Sequence, residues 1–137
     1  MFQFFTDKSR QNISFEDMQN AIKQHNKYTI LNTLPSSSQA VLIKRTLPMH
    51  DEERFINDII DNYEMSKHNI IIYGNNCNDN SVDTKYNQLH KLGFSSLYVY
   101  LGGMFEWTML QDIYGKDEFP TDGYTLDILQ YKPRTLL

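Results

Sequence analysis

The chain has 137 residues, of which 40% are hydrophobic, 13% aromatic and 22% charged. These fractions are typical of a folded domain and exclude a disordered chain, and the length suffices for one hydrophobic core but not for two. The formal net charge of −4 argues against a nucleic-acid or anionic-membrane binder, because both classes need clustered Lys and Arg.

The sequence pattern also argues against a membrane span and against secretion. No apolar run approaches the roughly 18 residues of a membrane-spanning helix, and residues 1–5 lack the basic start and long apolar core of a signal peptide. We therefore expect a cytoplasmic protein. The only cysteine, Cys77, excludes an internal disulfide and a multi-cysteine zinc site, so it is a free thiol, a bridge between two chains or a catalytic group.

The first half of the chain predicts two helices and two strands. Residues 1–12 have no clear period and are interpreted as an arm. Ser14 is placed to cap a helix that ends near residues 25–26, because acidic residues follow it and apolar residues recur on one helical face. Residues 28–32 and 41–43 have the composition of strands, and Pro48 opens a second amphipathic helix.

In the second half, the apolar run at residues 70–73 lacks alternation, which is typical of a strand covered on both faces of a parallel sheet. A loop rich in Gly and Asn then leads into a helix that Gly93 ends, and a strand at 96–101 precedes a helix at 104–114. This alternation predicts an α/β fold with a mainly parallel sheet of about five strands. Residues 116–137 are too apolar to be free and should pack on the body.

Three features in this order resemble the C-terminal half of a rhodanese homology domain: the strand at 70–73, the Leu-Gly-Phe at 92–94 and the YVYLGGMFEW segment at 98–107. Upstream the likeness is weaker, and Asn32 and Leu34 replace an acidic and a basic residue of the family. The resemblance implies a three-layer α/β/α sandwich. Residues 1–137 would form a single rhodanese-like domain, with its core at 13–115, an N-terminal arm (1–12) and a C-terminal extension (116–137) packed on it.

The resemblance places the family's active-site loop directly after the strand at 70–73. In active rhodaneses the first residue of this loop is the cysteine that carries sulfur, whereas here it is Gly74, which has no side chain to do so. The equivalent loop comprises Gly74, Asn75, Asn76, Cys77, Asn78, Asp79, Asn80 and Ser81.

Cys77 is the candidate for a displaced catalytic residue. If the loop folds as an anion-binding nest, the thiol could lie near the N-terminus of the next helix, where the pKa of a thiol falls. Against this, the loop contains no Lys or Arg, and Asp79 would repel a thiolate or a phosphate. Asp79 or Ser81 is therefore better explained as the cap of that helix.

Two functions follow from the resemblance. The first is a non-catalytic rhodanese-like domain that binds an unidentified protein partner or has a regulatory role. The alternative is a divergent sulfurtransferase, acting on thiosulfate or a persulfide, with Cys77 as the sulfur carrier. Cys77 could also join two chains in a disulfide-linked dimer. Phosphatase activity is disfavoured because no Arg lies between Arg54 and Arg134, and the four scattered histidines predict neither a metal site nor a cofactor.

Overall fold

The computed structural model describes residues 10–137, so most of the predicted N-terminal arm lies outside the described residues. Six strands and four α-helices follow one another in this part of the chain. In order they are β1 (Gln11–Ile13), α1 (Phe15–Lys23), β2 (Tyr28–Asn32), β3 (Leu42–Ile43), α2 (Met49–Asp61), β4 (Asn69–Tyr73), α3 (Asn80–Lys91), β5 (Leu97–Tyr100), α4 (Gly103–Tyr114) and β6 (Thr121–Asp122). Short 3₁₀ helices lie at Ser36–Ser38 and Ile128–Tyr131.

The central sheet has four parallel strands in the order β1-β5-β4-β2. The predicted central position of residues 70–73 is confirmed, because β4 has a strand on each side. Its last residue, Tyr73, is aligned with Asn32 at the end of β2 and with Tyr100 at the end of β5. The three strands therefore end at a common edge, which is where open α/β sheets bind their ligands.

Side chains of β4 alternate between the two faces of the sheet, and both faces are buried. Ile70 and Ile72 pack with residues of α2 and α3, whereas Ile71 and Tyr73 pack with residues of α1 and α4. A strand that is covered on both faces has no polar side to present, which explains its continuous apolar run. The predicted three-layer α/β/α sandwich is confirmed.

The predicted, mainly parallel central sheet is confirmed, and two of its details differ. Within residues 10–137 it has four strands where about five were predicted, because β3 pairs antiparallel with β6 in a separate two-stranded sheet. Arg45, at a φ of 73°, turns the chain after β3, and only Thr46 reaches the central sheet, as a single bridge to Ile30. The strand β1 was missed because its three residues carry a single apolar side chain, Ile13.

The C-terminal extension contributes to the core on the α1 and α4 side of the sheet. Phe119 and Tyr131 are 3% and 2% exposed. The indole of Trp107 donates to the carbonyl oxygen of Pro120 at 3.1 Å, and Gln111 donates to that of Phe119 at 2.7 Å. Among residues 10–137, no helix is both long enough and apolar enough to cross a membrane.

Candidate functional site

The loop after β4 begins at the common carboxyl edge of the strands, and the start of α4 closes one side of it. The backbone N–H of Met104 donates to the carbonyl oxygen of Gly74 at 2.9 Å. The backbone N–H of Phe105 donates to the carbonyl oxygen of Asn75 at 2.8 Å. This close approach requires a glycine at the first position of α4. Gly103 has a φ of 64°, and a Cβ there would lie 2.5 Å from the oxygen of Gly74.

The carboxylate of Asp79 lies at the centre of the loop and accepts its hydrogen bonds. Oδ2 accepts from the backbone N–H of Asn75 at 2.8 Å and from its side-chain amide at 3.0 Å. Oδ1 accepts from the backbone N–H of Ser81 at 3.0 Å and from its hydroxyl at 2.6 Å. Asp79 is also the N-cap of α3, one of the two caps that the sequence predicted. An anion that belongs to the protein therefore occupies the loop.

The carboxylate is held in its ionised form. Burial alone would raise the pKa of Asp79, but the backbone N–H of Asn75 and the hydroxyl and N–H of Ser81 lower it more, so that its pKa lies below the usual value. At neutral pH the loop therefore contains a fixed negative charge. A second anion, such as a thiolate, thiosulfate or a phosphate ester, would be repelled at this position.

A side chain at Gly74 would require its neighbours to move. A Cβ at this residue would lie 2.6 Å from Oδ2 of Asp79, 2.7 Å from Cγ2 of Val82 and 2.8 Å from Oγ1 of Thr33. All three distances are shorter than normal contacts between heavy atoms. The volume next to Gly74, where a cysteine side chain would begin, is thus filled by the Asp79 carboxylate and by two neighbouring side chains.

The thiol of Cys77 lies on the outside of the loop. The residue is exposed, and its Sγ donates only a long contact of 3.9 Å to Oδ1 of Asn78. Inward, Cys77 borders a cavity of about 10 Å³, at the lower limit of what one water needs. The thiol is therefore accessible from solvent, while the hydrogen bonds of Asn75 and Ser81 are directed at Asp79 and not at sulfur.

Arg10 is a charged neighbour of the loop that the sequence did not reveal. It borders the same small cavity as Cys77. Its guanidinium pairs with Asp83 and lies 5.8 Å above the ring of Tyr86, so its charge is directed toward α3. No local pattern could have indicated this contact, because 73 positions separate the two paired residues.

Asn76 connects the loop to the C-terminal extension. Its buried side chain donates to the carbonyl oxygen of Tyr131 at 2.9 Å and accepts from the N–H of Asn78 at 2.9 Å. The remaining loop residue, Asn80, is exposed at the first position of α3. The eight predicted loop residues thus form one structural unit, in which Asp79 and Asn76 make most of the side-chain hydrogen bonds.

A larger cavity, of about 580 Å³, lies beside the loop between α2 and α3. Ser81 and Thr33 form its border with the loop, and Met49, Ile56 and Leu92 contribute apolar side chains to its wall. Glu52 and Lys85 form an ion pair from one helix to the other across this cavity. Its size falls within the range of ligand-binding sites.

Asn32, which stands where the resemblance expects an acidic residue, is buried at the edge of this cavity. Its side-chain amide exchanges two hydrogen bonds with Gln39, of 3.1 and 2.8 Å, and accepts one from the N–H of Leu34. Both polar atoms of the amide therefore have neutral partners within the protein. No group of His, Cys, Asp or Glu side chains within residues 10–137 could hold a metal ion.

No family model matches the chain, and no curated protein matches it. Solved structures do. Ygr203w from yeast, described as a protein tyrosine phosphatase of the rhodanese family, matches with a TM-score of 0.61 at 15% identity, over 88% of this chain and 96% of that one. The Alr3790 protein from Anabaena matches with a TM-score of 0.57 at 21% identity, over 86% of this chain and 97% of that one.

A thiosulfate sulfurtransferase from Pseudomonas aeruginosa matches with a TM-score of 0.57 at 12% identity, over 76% of this chain and 20% of the sulfurtransferase. These structures define the class of the fold, which is rhodanese-like, as the sequence predicted. The chain is an α/β domain with the rhodanese-like fold. In it, Gly74 follows the central strand, and the Asp79 carboxylate accepts the hydrogen bonds of the loop. Proteins with this fold include a sulfurtransferase and a phosphatase, so the fold alone does not decide the chemistry.

Proposed function

We propose that this protein is a non-catalytic rhodanese-like domain that acts as a binding or regulatory module. One observation carries the proposal: the Asp79 carboxylate lies 2.6 Å from the Cβ position of Gly74 and accepts four hydrogen bonds there. Sulfur transfer and phosphate transfer both need a nucleophile and positive charge or free N–H donors at this place. The loop offers an internal anion instead.

The cavity between α2 and α3 supports the binding half of the proposal. It adjoins the loop, and two apolar side chains on its rim are partly exposed, Met49 at 39% and Leu92 at 47%. A protein segment with apolar side chains fits such a rim better than nucleic acid, which would require clustered positive charge. We therefore propose that a protein partner binds beside the loop and that the loop provides a rigid border for it.

The first experiment measures sulfur transfer from thiosulfate and from 3-mercaptopyruvate by the purified full chain, together with phosphatase activity. We expect no rate above that of buffer, while an active rhodanese assayed in parallel turns over. Mass spectrometry after incubation with thiosulfate should show no added sulfur atom. Turnover that disappears in Cys77→Ser would overturn the proposal and establish the sulfurtransferase alternative.

The binding half is tested by affinity purification with matched variants. Met49→Glu and Leu92→Glu change the cavity rim, whereas Tyr63→Glu changes a side chain that is 85% exposed and does not line this cavity. A partner of the cavity should be retained by the wild type and by Tyr63→Glu and lost with both rim variants. If every protein retained by the wild type is also retained by both rim variants, the cavity is not the binding site.

A further inference from the structure

Large exposed apolar side chains concentrate on α4 and the segment that follows it. Six of them define what we call the α4–tail face. They are Met109 (40% exposed), Ile113 (64%), Tyr114 (64%), Tyr124 (58%), Leu126 (80%) and Leu129 (64%). The 3₁₀ helix that contains Leu129 packs against α4, so these two elements of the face are adjacent. Single exposed apolar residues are ordinary in proteins, but a concentration of this kind marks an interaction surface.

The helix α4 carries apolar residues on its outer side as well as on its inner side. Trp107 and Gln111 lie on the buried side. On the opposite side, the exposed residues Met109 and Ile113 are spaced i, i+4 and form an apolar ridge. A surface helix normally carries polar residues there, and a helix that is apolar all round is normally buried. No segment within residues 10–137 covers this outer ridge, although its sequence is suited to burial.

The exposed area is large enough for a stable interface. If each of the six residues offers about 150 Å² when fully exposed, their exposed fractions correspond to about 550 Å² of surface, most of which is apolar. A standard interface buries about 800 Å² per partner, of which roughly 60% is apolar, or about 500 Å². The α4–tail face by itself thus supplies the apolar share of one side of such an interface.

The charges around this face indicate which partner it fits. Exposed cations and carboxylates alternate with these apolar residues along the chain, and the six named next form no ion pair within residues 10–137. They are Lys116, Lys132 and Arg134 on the one hand, and Asp112, Asp117 and Asp127 on the other. A rim of one sign would fit a partner of the opposite charge. A rim with both signs is complementary to itself, as an interface between identical subunits requires.

We infer that the α4–tail face is a two-fold interface between two copies of this chain. The i, i+4 ridges of the two α4 helices pack against each other, and the tail side chains flank them. The same elements hold the loop, since the first N–H groups of α4 donate to it and Asn76 donates to Tyr131. Dimer formation therefore stiffens the support of the loop. This inference goes beyond the proposed function and does not depend on it.

The experiment is sedimentation equilibrium of the full chain under reducing conditions, from about 0.1 to about 100 μM, because interfaces of standard size have dissociation constants of about 1 μM or below. We expect a monomer–dimer equilibrium with no larger species, because a two-fold interface is closed. Ile113→Glu and Met109→Glu should each weaken the dimer by about 30-fold or more, since both copies lose an apolar contact and gain a buried charge.

Two controls should retain the dimer. Leu92→Glu introduces the same charge on an exposed apolar residue of the opposite side of the sheet, and Cys77→Ser removes the thiol and so distinguishes this dimer from a disulfide-linked one. As a measurement independent of the variants' folding, amide exchange of the wild type at residues 105–113 should slow with rising concentration. A wild type that is monomeric throughout, a dimer insensitive to both α4 variants, or concentration-dependent growth beyond the dimer would each overturn the inference.

Discussion

At the scale of single residues, the Asp79 carboxylate occupies the volume that a side chain at position 74 would need. Gly74 does not have a positive φ, so its backbone conformation does not require glycine. What requires it is space, because three side-chain atoms lie within 2.8 Å of its Cβ position and the nearest is the Asp79 carboxylate. Restoring a cysteine at position 74 alone would therefore not restore an active-site geometry, since the carboxylate already occupies the volume that the new side chain would need.

The first prediction is that substitutions at these two residues are not additive. Gly74→Ala should reduce the free energy of unfolding by about 1–3 kcal/mol, which is typical of overpacking. In an Asp79→Ala background, the loss of unfolding free energy caused by Gly74→Ala should be smaller than in the wild type, by about 0.5–3 kcal/mol. The closest clash is then absent, although those with Val82 and Thr33 remain. Urea unfolding of the wild type, the single variants and the double variant measures this coupling.

Gly93 offers the matched control for this cycle. It lies just beyond the far end of α3 and its φ is 103°, so Gly93→Ala is destabilising through backbone strain. Paired with Asp79→Ala, it should give an additive loss of stability, because the two sites share no contact. If the stability losses of Gly74→Ala and Asp79→Ala also add in the double variant, the carboxylate does not restrict position 74.

At the scale of elements, the loop is held between α4 and the C-terminal extension. Both backbone hydrogen bonds from Met104 and Phe105 fix its first two residues. The side chain of Asn76 fixes its middle, because it joins the carbonyl oxygen of Tyr131 to the N–H of Asn78. A loop attached at three places by buried groups is suited to a rigid binding border and not to the opening and closing of an active site.

The second prediction concerns this attachment. Asn76→Ala should lower the free energy of unfolding by about 1–3 kcal/mol, because it leaves the carbonyl of Tyr131 and the N–H of Asn78 without partners. Amide exchange should become faster in the 3₁₀ helix Ile128–Tyr131, far along the chain from the substitution. Asn80→Ala, which changes an exposed asparagine of the same loop, should leave that exchange unchanged. Equal exchange in both variants would contradict the connection.

The elements also show where sequence reasoning succeeds and where it ends. The strand β4 was predicted because a strand buried on both faces has a distinctive apolar run, and Asp79 because capping depends on residues only two positions apart. The strand β1 was missed because three residues carry little periodicity. The close contact between the Asp79 carboxylate and the Cβ position of Gly74 was also not predicted, because it depends on how the whole loop folds.

At the scale of the whole molecule, three buried tyrosines make stability depend on alkaline pH. Burial raises the pKa of Tyr73, although hydrogen bonds with Thr46 and Ile43 oppose it. Burial also raises the pKa of Tyr100, and the hydrogen bond to Glu106 and its charge raise it further. Burial and the Asp127 carboxylate raise that of Tyr131. All three tyrosines belong to the same core cluster, to which α4 and the extension also contribute residues.

The third prediction follows from the sign of these shifts. Tyrosines of the unfolded chain lose their protons near pH 10, whereas the folded chain retains these three above that pH. The unfolded state therefore binds fewer protons there, and the free energy of unfolding falls as the pH rises above about 10, by at most about 1.4 kcal/mol per pH unit for each tyrosine. Below pH 10 the contribution of the three groups is fully present.

The variant Tyr100→Phe isolates one of these groups from the lysines that titrate in the same range. At about pH 8 it should be less stable than the wild type, because Glu106 loses its hydrogen-bond donor. Between about pH 10 and 11 this difference should shrink, since only the wild type has a hydroxyl to ionise at position 100. A constant difference for Tyr100→Phe in urea unfolding would mean that the Tyr100 hydroxyl titrates alike in the folded and unfolded chains.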